Sequence, residues 1–231
     1  MDIFWKNDDE LFAAARKELF TAVVGDAMDK MELFHQFLSP QIQPLKDDMF
    51  LIGRAMPVLE ADTFEELSRD GRNPIMSKPF GLMLEALDDL KRNEVYICAG
   101  ASPNYALVGE LMMTRAQYLG AAGAVVNGYS RDTTGILALN FPVFSYGRYA
   151  QDQAPRGKVI DFRVPIEMNG VRIDPGDIII GDLDGVCVVP QAYESEVFLK
   201  AFQKARAEKT VLTAIQKGMG AVAAWNKYQV M

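Results

Sequence analysis

The sequence predicts a layered α/β or α+β domain. Up to about residue 146, strand-like runs alternate with helical ones. From about residue 159, strands follow one another without intervening helices, and one long helix then closes the pattern. With 231 residues, 49% of them hydrophobic and 24% charged, the chain can bury a sizeable core, so residues 1–231 are expected to form one domain.

Each element has its own signal. Residues 8–20 show helical periodicity, with Leu11, Phe12, Ala15 and Leu19 on one side. Thr21 is expected to cap a second helix reaching about residue 34, so the N-terminal helices cover about 8–34. Residues 49–59 read as a buried strand interrupted at Gly53, and the polar stretch 62–79 reads as a loop. A helix over 80–91 and a strand over 94–99 come next. A helix is then expected from about 106 or 109 to 119, with Gly120 as its C-cap. Residues 123–127 and 142–146 read as strands, with a short helix between them after Asp132. Strands at 159–164, 178–181 and 186–189 follow, the last two joined by the turn Asp182-Leu183-Asp184-Gly185. The C-terminal helix spans about 191–217 and ends at Gly218.

Composition narrows the function classes. The net charge of −7 argues against a nucleic-acid partner, whose binding surface would be basic. No apolar run approaches the roughly 18 residues of a membrane span. The N-terminus lacks the basic start and apolar core of a signal peptide. Cys98 and Cys187 lie in apolar strand-like runs and read as buried free thiols, so a reducing cytoplasm is the expected compartment. His35 is the only histidine, which leaves little room for a His-rich zinc site or a Ser-His-Asp triad. Gly120, Gly123 and Gly128 flank a strand and do not form the strand-to-helix turn of a dinucleotide fingerprint.

The chemistry concentrates between residues 109 and 132. If a helix begins near Gly109, the amides of Leu111, Met112 and Met113 have no intrahelical acceptor and favour an anion. Glu110 on that first turn either serves the helix dipole or faces the same anion site. Arg131 and Asp132 follow Val125 and Val126, just past a buried strand, where α/β sheets place their ligands. Arginine offers a planar fork for a carboxylate. Aspartate is a hard oxygen ligand suited to Mg²⁺ or Mn²⁺.

Gly109-Glu110, twenty residues, then Arg131-Asp132 resembles the acidic-X20-Arg-Asp signature of the RraA-like/class II pyruvate aldolase family. That family includes the 4-hydroxy-4-methyl-2-oxoglutarate/4-carboxy-4-hydroxy-2-oxoadipate aldolases and a ribonuclease E regulator. Thr21-Ala22-Val23-Val24-Gly25-Asp26-Ala27, Leu51-Ile52-Gly53-Arg54-Ala55 and the run from Gly181 to Pro190 resemble other family segments in the same order, covering roughly residues 15–220. Glu110 stands where the characterised aldolases carry Asp, and Asn127 where Asp is frequent.

The resemblance implies a swivelling β/β/α domain, assembled as a homotrimer or homohexamer with active sites between subunits. It implies that Asp132 carries Mg²⁺ or Mn²⁺ largely through waters and that Glu110 helps hold that water shell. Arg131 would hold the pyruvyl group, with the backbone at Gly109, Leu111 and Met112 contacting substrate. A glutamate from a neighbouring C-terminal helix would complete the metal site. Glu208 is the candidate, because 3.6-residue geometry puts it on the same face as the apolar stripe Phe198, Ala201, Phe202, Ala205, Leu212, Ile215, with Glu194 and Glu196 as alternatives.

The implied activity is metal-dependent cleavage of a C–C bond in 4-hydroxy-2-oxo dicarboxylic acids, releasing pyruvate, together with oxaloacetate decarboxylation. The competing expectation is a protein-binding regulator of ribonuclease activity without physiological catalysis. A weaker third reading, a demethylmenaquinone methyltransferase, lacks a glycine-rich S-adenosylmethionine loop.

Overall fold

The computed structural model describes residues 3–63 and 74–230. Helices α1 (Asp8–Glu18) and α2 (Thr21–Asp29) lead into β1 (Gln43–Pro44) and β2 (Leu51–Asp62). Next come α3 (Pro74–Ser77), α4 (Met83–Asp89), β3 (Glu94–Ala99), β4 (Ala106–Val108) and α5 (Glu110–Tyr118). The chain continues through β5 (Gly123–Val126), β6 (Tyr129–Ser130), α6 (Thr133–Leu139) and β7 (Val143–Ser145). The second half contributes β8 (Gly157–Phe162), β9 (Ile166–Met168), β10 (Val171–Ile173), β11 (Ile178–Asp182) and β12 (Gly185–Val189). A 3-10 turn at Gln191–Tyr193 opens the long α7 (Glu194–Gln216), and α8 (Ala221–Tyr228) ends the chain. Of the loop expected over 62–79, residues 64–73 lie outside the described residues and Pro74–Ser77 is helical.

The main sheet has the order β1-β7-β5-β3-β2-β11-β12, with β8 added along the C-terminal part of β2. Strands β2, β3, β5 and β7 run parallel, and β1, β8, β11 and β12 join antiparallel. The sheet is therefore mixed, as the change from alternating to consecutive strands predicts.

The pleat divides the core in two. Ile179, Val186 and Val188 point into one core, while Ile178, Ile180, Cys187 and Val189 point into the other. Helices α1, α2 and α7 cover the second core through Leu11, Phe12, Val23, Val24, Phe198 and Phe202. Helices α4 and α5 cover the first through Met83, Leu87, Met113 and Ala116. Each large aliphatic or aromatic side chain buried this way contributes about 1.5–3 kcal/mol of transfer free energy. Both cysteines are buried and free.

Several expectations change. Phe20, not Thr21, is the N-cap of α2, and it makes no side-chain cap. Thr21 is the first helical residue, and Asp182 caps it from the β11–β12 turn, accepting from the Thr21 amide at 2.7 Å and its hydroxyl at 2.5 Å. Helix α2 also stops at Asp29 rather than about residue 34, and the chain leaves it through a turn with Glu32 at φ 61°. Strand β2 runs through Gly53 without interruption. A Cβ at Gly53 would fall 2.4 Å from the Asn93 carbonyl, so this glycine admits a neighbouring loop rather than breaking the strand.

The β9–β10 hairpin, turned by Asn169 and Gly170 at φ 55° and 84°, was not anticipated. Its Asn-Gly pair is the turn residues' own signal. No helix among the described residues is long and apolar enough to cross a membrane.

Candidate active site

A small parallel pair outside the main sheet builds the site. Strand β4 pairs with β6 through Ala106↔Tyr129 and Val108↔Ser130, and the Arg131 amide continues the pairing to the Val108 carbonyl at 3.0 Å. Gly109-Glu110 and Arg131-Asp132 each follow one of these strands, so they meet side by side. The intervening residues are α5, β5 and the return to β6.

The contact is close enough to require glycine. A Cβ on Gly109 would stand 2.6 Å from Asp132 Oδ2 and 3.3 Å from Arg131 Cγ. Gly109 has φ −145°, so the requirement is space rather than backbone freedom. Asp132 does carry backbone strain: it sits at φ 55°, ψ 36° as the N-cap of α6, a left-handed conformation that costs an L-residue on the order of 1 kcal/mol. Its carbonyl accepts from the Gly135 and Ile136 amides, so α6 fixes the strained residue in place.

Arg131 and Asp132 open into a cavity of about 440 Å³, within the range that binds small ligands. Gly109, Leu111, Met112, Asp152 and Gln153 line it as well. Arg131 Nη1 lies 3.0 Å from Asp152 Oδ1, and Arg131 Nε lies 3.6 Å from Asp132 Oδ2. The guanidinium is thus held between two carboxylates while its side chain stays 36% exposed. Arg115 and Asp88, paired at 2.8 Å, line the same cavity. Apolar wall is contributed by Phe80, Met83, Leu84, Leu87 and Leu107.

Helix α5 starts at this cavity, as expected. The Met113 amide, counted as free from the sequence, donates to the Gly109 carbonyl at 3.1 Å. The Leu111 and Met112 amides precede that first helical bond. Glu110 takes a different direction from its neighbours. Its carboxylate lies over Gly135 of α6, where a Cβ would stand 2.2 Å from Glu110 Oε2, and it is not among the residues lining the cavity.

Within one chain Glu208 stays apart from this cluster. It pairs with Lys204 at 2.6 Å and lines a separate apolar groove with Phe20, Leu212 and Ile215. The apolar stripe of α7 therefore stops being buried past Val211, and Leu212 is 55% exposed. The alternatives are engaged elsewhere: Glu194 pairs with Arg54, which also holds Asp8 at 2.6 Å, and Glu196 pairs with Lys200 at 3.3 Å. His35 is exposed on the segment after α2.

The donor set discriminates between metals. Among the described residues, no three His, Cys, Asp or Glu side chains converge as a cage. Within the described residues of one chain the cluster is therefore not a closed cage of the structural-zinc kind. One open carboxylate, Asp132, in a water-accessible cavity fits Mg²⁺ or Mn²⁺, which use few protein oxygens and keep several waters.

Asp152 and Gln153 were missed from the sequence. They lie in an irregular stretch with no periodicity and reach the site through the Ala106 amide, which donates to the Gln151 carbonyl at 2.8 Å.

Fold and site together define an α/β protein with a cavity of small-ligand size at the ends of parallel strands, furnished with Arg131 and Arg115 and their neighbouring carboxylates. The RraA-like family model (Aldolase/RraA) matches residues 21–188, and the chain belongs to that family. A Halalkalibacterium halodurans protein named "Putative 4-hydroxy-4-methyl-2-oxoglutarate aldolase" is 32% identical over 205 residues, covering 89% of each chain. The solved structure of an uncharacterized protein from Pseudomonas syringae pv. tomato is 25% identical with a TM-score of 0.78, over 96% of this chain and 99% of that one. Streptomyces coelicolor RraAS2, described as an unusual member of the RNase ES inhibitor RraA family, shares the fold at 20% identity, with a TM-score of 0.74 over 90% and 98% of the two chains.

Proposed function

We propose that this protein is a divalent-metal-dependent lyase that cleaves the C3–C4 bond of 4-hydroxy-2-oxo acids to release pyruvate, and that it also decarboxylates oxaloacetate. The observation that carries the reading is the convergence of Arg131, Asp132 and the start of α5 on one cavity. The aldolase name of the 32% identical relative supports the same reaction class.

Arg131 binds the substrate carboxylate with its fork, and the Leu111 and Met112 amides add dipoles of the same sign. Both favour the negative charge that moves onto the 2-oxo oxygen as the bond breaks. Asp152 keeps the guanidinium aimed into the cavity. Asp132 would hold Mg²⁺ or Mn²⁺, with Glu110 supporting its water shell, and the ion would supply Lewis-acid polarisation of the 2-oxo group. The C4 hydroxyl loses its proton, the C3–C4 electrons pass into the C2 carbonyl to give the pyruvate enolate, and a proton returns to C3. Oxaloacetate reaches the same enolate by losing carbon dioxide.

The reading includes a homotrimer or homohexamer in which Glu208 of a neighbouring copy closes the site. Leu111 and Leu84, both lining the cavity, are 85% and 55% exposed in the single chain, which supports cover by another copy.

The test is pyruvate release from oxaloacetate and from 4-hydroxy-4-methyl-2-oxoglutarate, with Mg²⁺ and with chelator. Asp132→Ala and Arg131→Ala are expected to lose activity by at least about a hundredfold, the scale of losing one preorganised charge contact, while staying folded by circular dichroism. Wild-type turnover in either variant overturns the assignment. An inactive wild type that captures a ribonuclease instead favours the regulator reading.

A further inference from the structure

Behind the cavity wall lies a carboxyl group that the proposed mechanism does not use. Glu60 is 1% exposed, near the C-terminal end of β2. It follows the buried apolar run Ala55 to Val58 of the same strand, just past the irregularity in the pairing with β8 between Leu59 and Glu60. Its Oε2 accepts from Gln153 Nε2 at 3.1 Å, and its Oε1 is buried without a hydrogen-bond partner among the described residues.

Gln153 is itself 4% exposed and lines the cavity immediately after Asp152, the partner of Arg131. The bond from Glu60 is therefore two residues from the substrate-binding guanidinium: Glu60 to Gln153, then Asp152 to Arg131. We propose that Glu60 is a positioning residue, which fixes Gln153 and with it the Asp152 segment against the Arg131 end of the cavity. The role of that end rests on the functional reading given above.

The surroundings explain why a carboxyl serves here and why it stays uncharged. Burial pushes the Glu60 carboxyl up to about 8, the nearby Cys98 thiol opposes this, and the Asp62 charge adds to it. Tyr96 and Cys98 of β3, Tyr105 and Asp62 are the titratable groups that interact with it. Asp62 is engaged by the Tyr105 hydroxyl at 2.7 Å and the Ser102 amide at 2.9 Å. The buried Lys158 ammonium is turned away, bonded to the Met76 and Lys78 carbonyls. None of these groups offers Glu60 a cation. Ionised, it would place a negative charge behind a site that receives an anionic substrate and develops further negative charge. Turnover should therefore fall as Glu60 loses its proton.

The experiment compares wild type with Glu60→Gln, Glu60→Ala and Gln153→Ala, all as full-length protein. Oxaloacetate decarboxylation is followed from pH 6 to 9.5, and the Gln153 side-chain amide is followed by ¹H–¹⁵N NMR, its signal identified by loss in Gln153→Ala. Glu60→Ala is expected to lower kcat/KM about tenfold at pH 7, and Glu60→Gln to restore most of that loss. The wild type should lose activity above about pH 8, and Glu60→Gln should lack this alkaline limb. The Gln153 amide should shift over the same pH range in wild type only. A merely structural Glu60 would alter stability without moving either titration. An alkaline limb shared by Glu60→Gln, or a Gln153 amide silent to pH, overturns the proposal. A wild type without turnover whose amide titrates overturns the functional reading and leaves the Glu60–Gln153 coupling standing.

Discussion

Arg131 Nη1 and Asp152 Oδ1 lie 3.0 Å apart on the cavity wall, although the residues are twenty-one positions apart in the chain. Both side chains are partly exposed, at 36% and 46%, so the pair adds under about 1 kcal/mol to stability. Its value is directional, because it leaves the guanidinium one preferred orientation. Asp152→Ala should raise KM for oxaloacetate several-fold and shift the urea midpoint little. An unchanged KM would remove Asp152 from the site.

Two glycines allow the acidic residues to be probed without mutating them. A methyl group on Gly109 would press on Asp132 Oδ2 from 2.6 Å, and one on Gly135 would press on the Glu110 carboxylate from 2.2 Å or less. Neither glycine has a left-handed φ, so added backbone strain is not the cause of any effect. Gly109→Ala should behave like Asp132→Ala and lose Mg²⁺-dependent activity. Gly135→Ala should reproduce Glu110→Ala, whatever size that loss has. If Gly135→Ala is inert while Glu110→Ala is crippled, the carboxylate works from a position other than the one seen here.

The parts of this molecule visible from its sequence are those set by local pattern. Strand β3 coincides with the expected 94–99, and the Asp182–Gly185 turn and long C-terminal helix were legible from turn residues and 3.6-residue spacing. Arg131 and Asp132 stood out by their place just past a Val-Val strand and by their spacing from Glu110, and the structure puts both on the cavity wall. What brings them to Gly109 is the β4–β6 pairing of two and three residues, too short for any periodic signal. Asp152 and Gln153 were hidden for the same reason, being placed by long-range backbone bonds from an irregular loop. Glu60 did leave a trace. It ends an otherwise apolar buried run, and a carboxyl buried there demands an explanation.

Asp182 is a helix cap supplied from across the fold, and it can be separated from the chemistry. It satisfies both the amide and the hydroxyl of Thr21, which is fully buried. Asp182→Ala leaves those donors unpaired and should cost about 1–3 kcal/mol, read as a lower urea midpoint at unchanged m-value. The residual folded protein should retain wild-type kcat/KM. A large loss of kcat with unaltered stability would instead make Asp182 part of a ligand site.

Glu60 also gives stability a pH dependence of fixed sign. In the unfolded chain the carboxyl releases its proton near its ordinary 4.5, whereas the folded protein holds that proton up to about 8. Between those values the unfolded state binds fewer protons, so rising pH favours unfolding. The stability linked to this residue is fully present below about pH 4.5, erodes through the neutral range and is gone by about pH 8. Glu60→Gln keeps the shape and removes the titration. The difference in unfolding free energy, wild type minus Glu60→Gln, should therefore fall by a few kcal/mol, in order of magnitude, between pH 5 and 8.5. Other titrating groups are common to both proteins and cancel in that difference. Parallel stability curves over this range would mean that Glu60 is already ionised in the native state, and the neutral-acid description of the cavity's back wall would then be wrong.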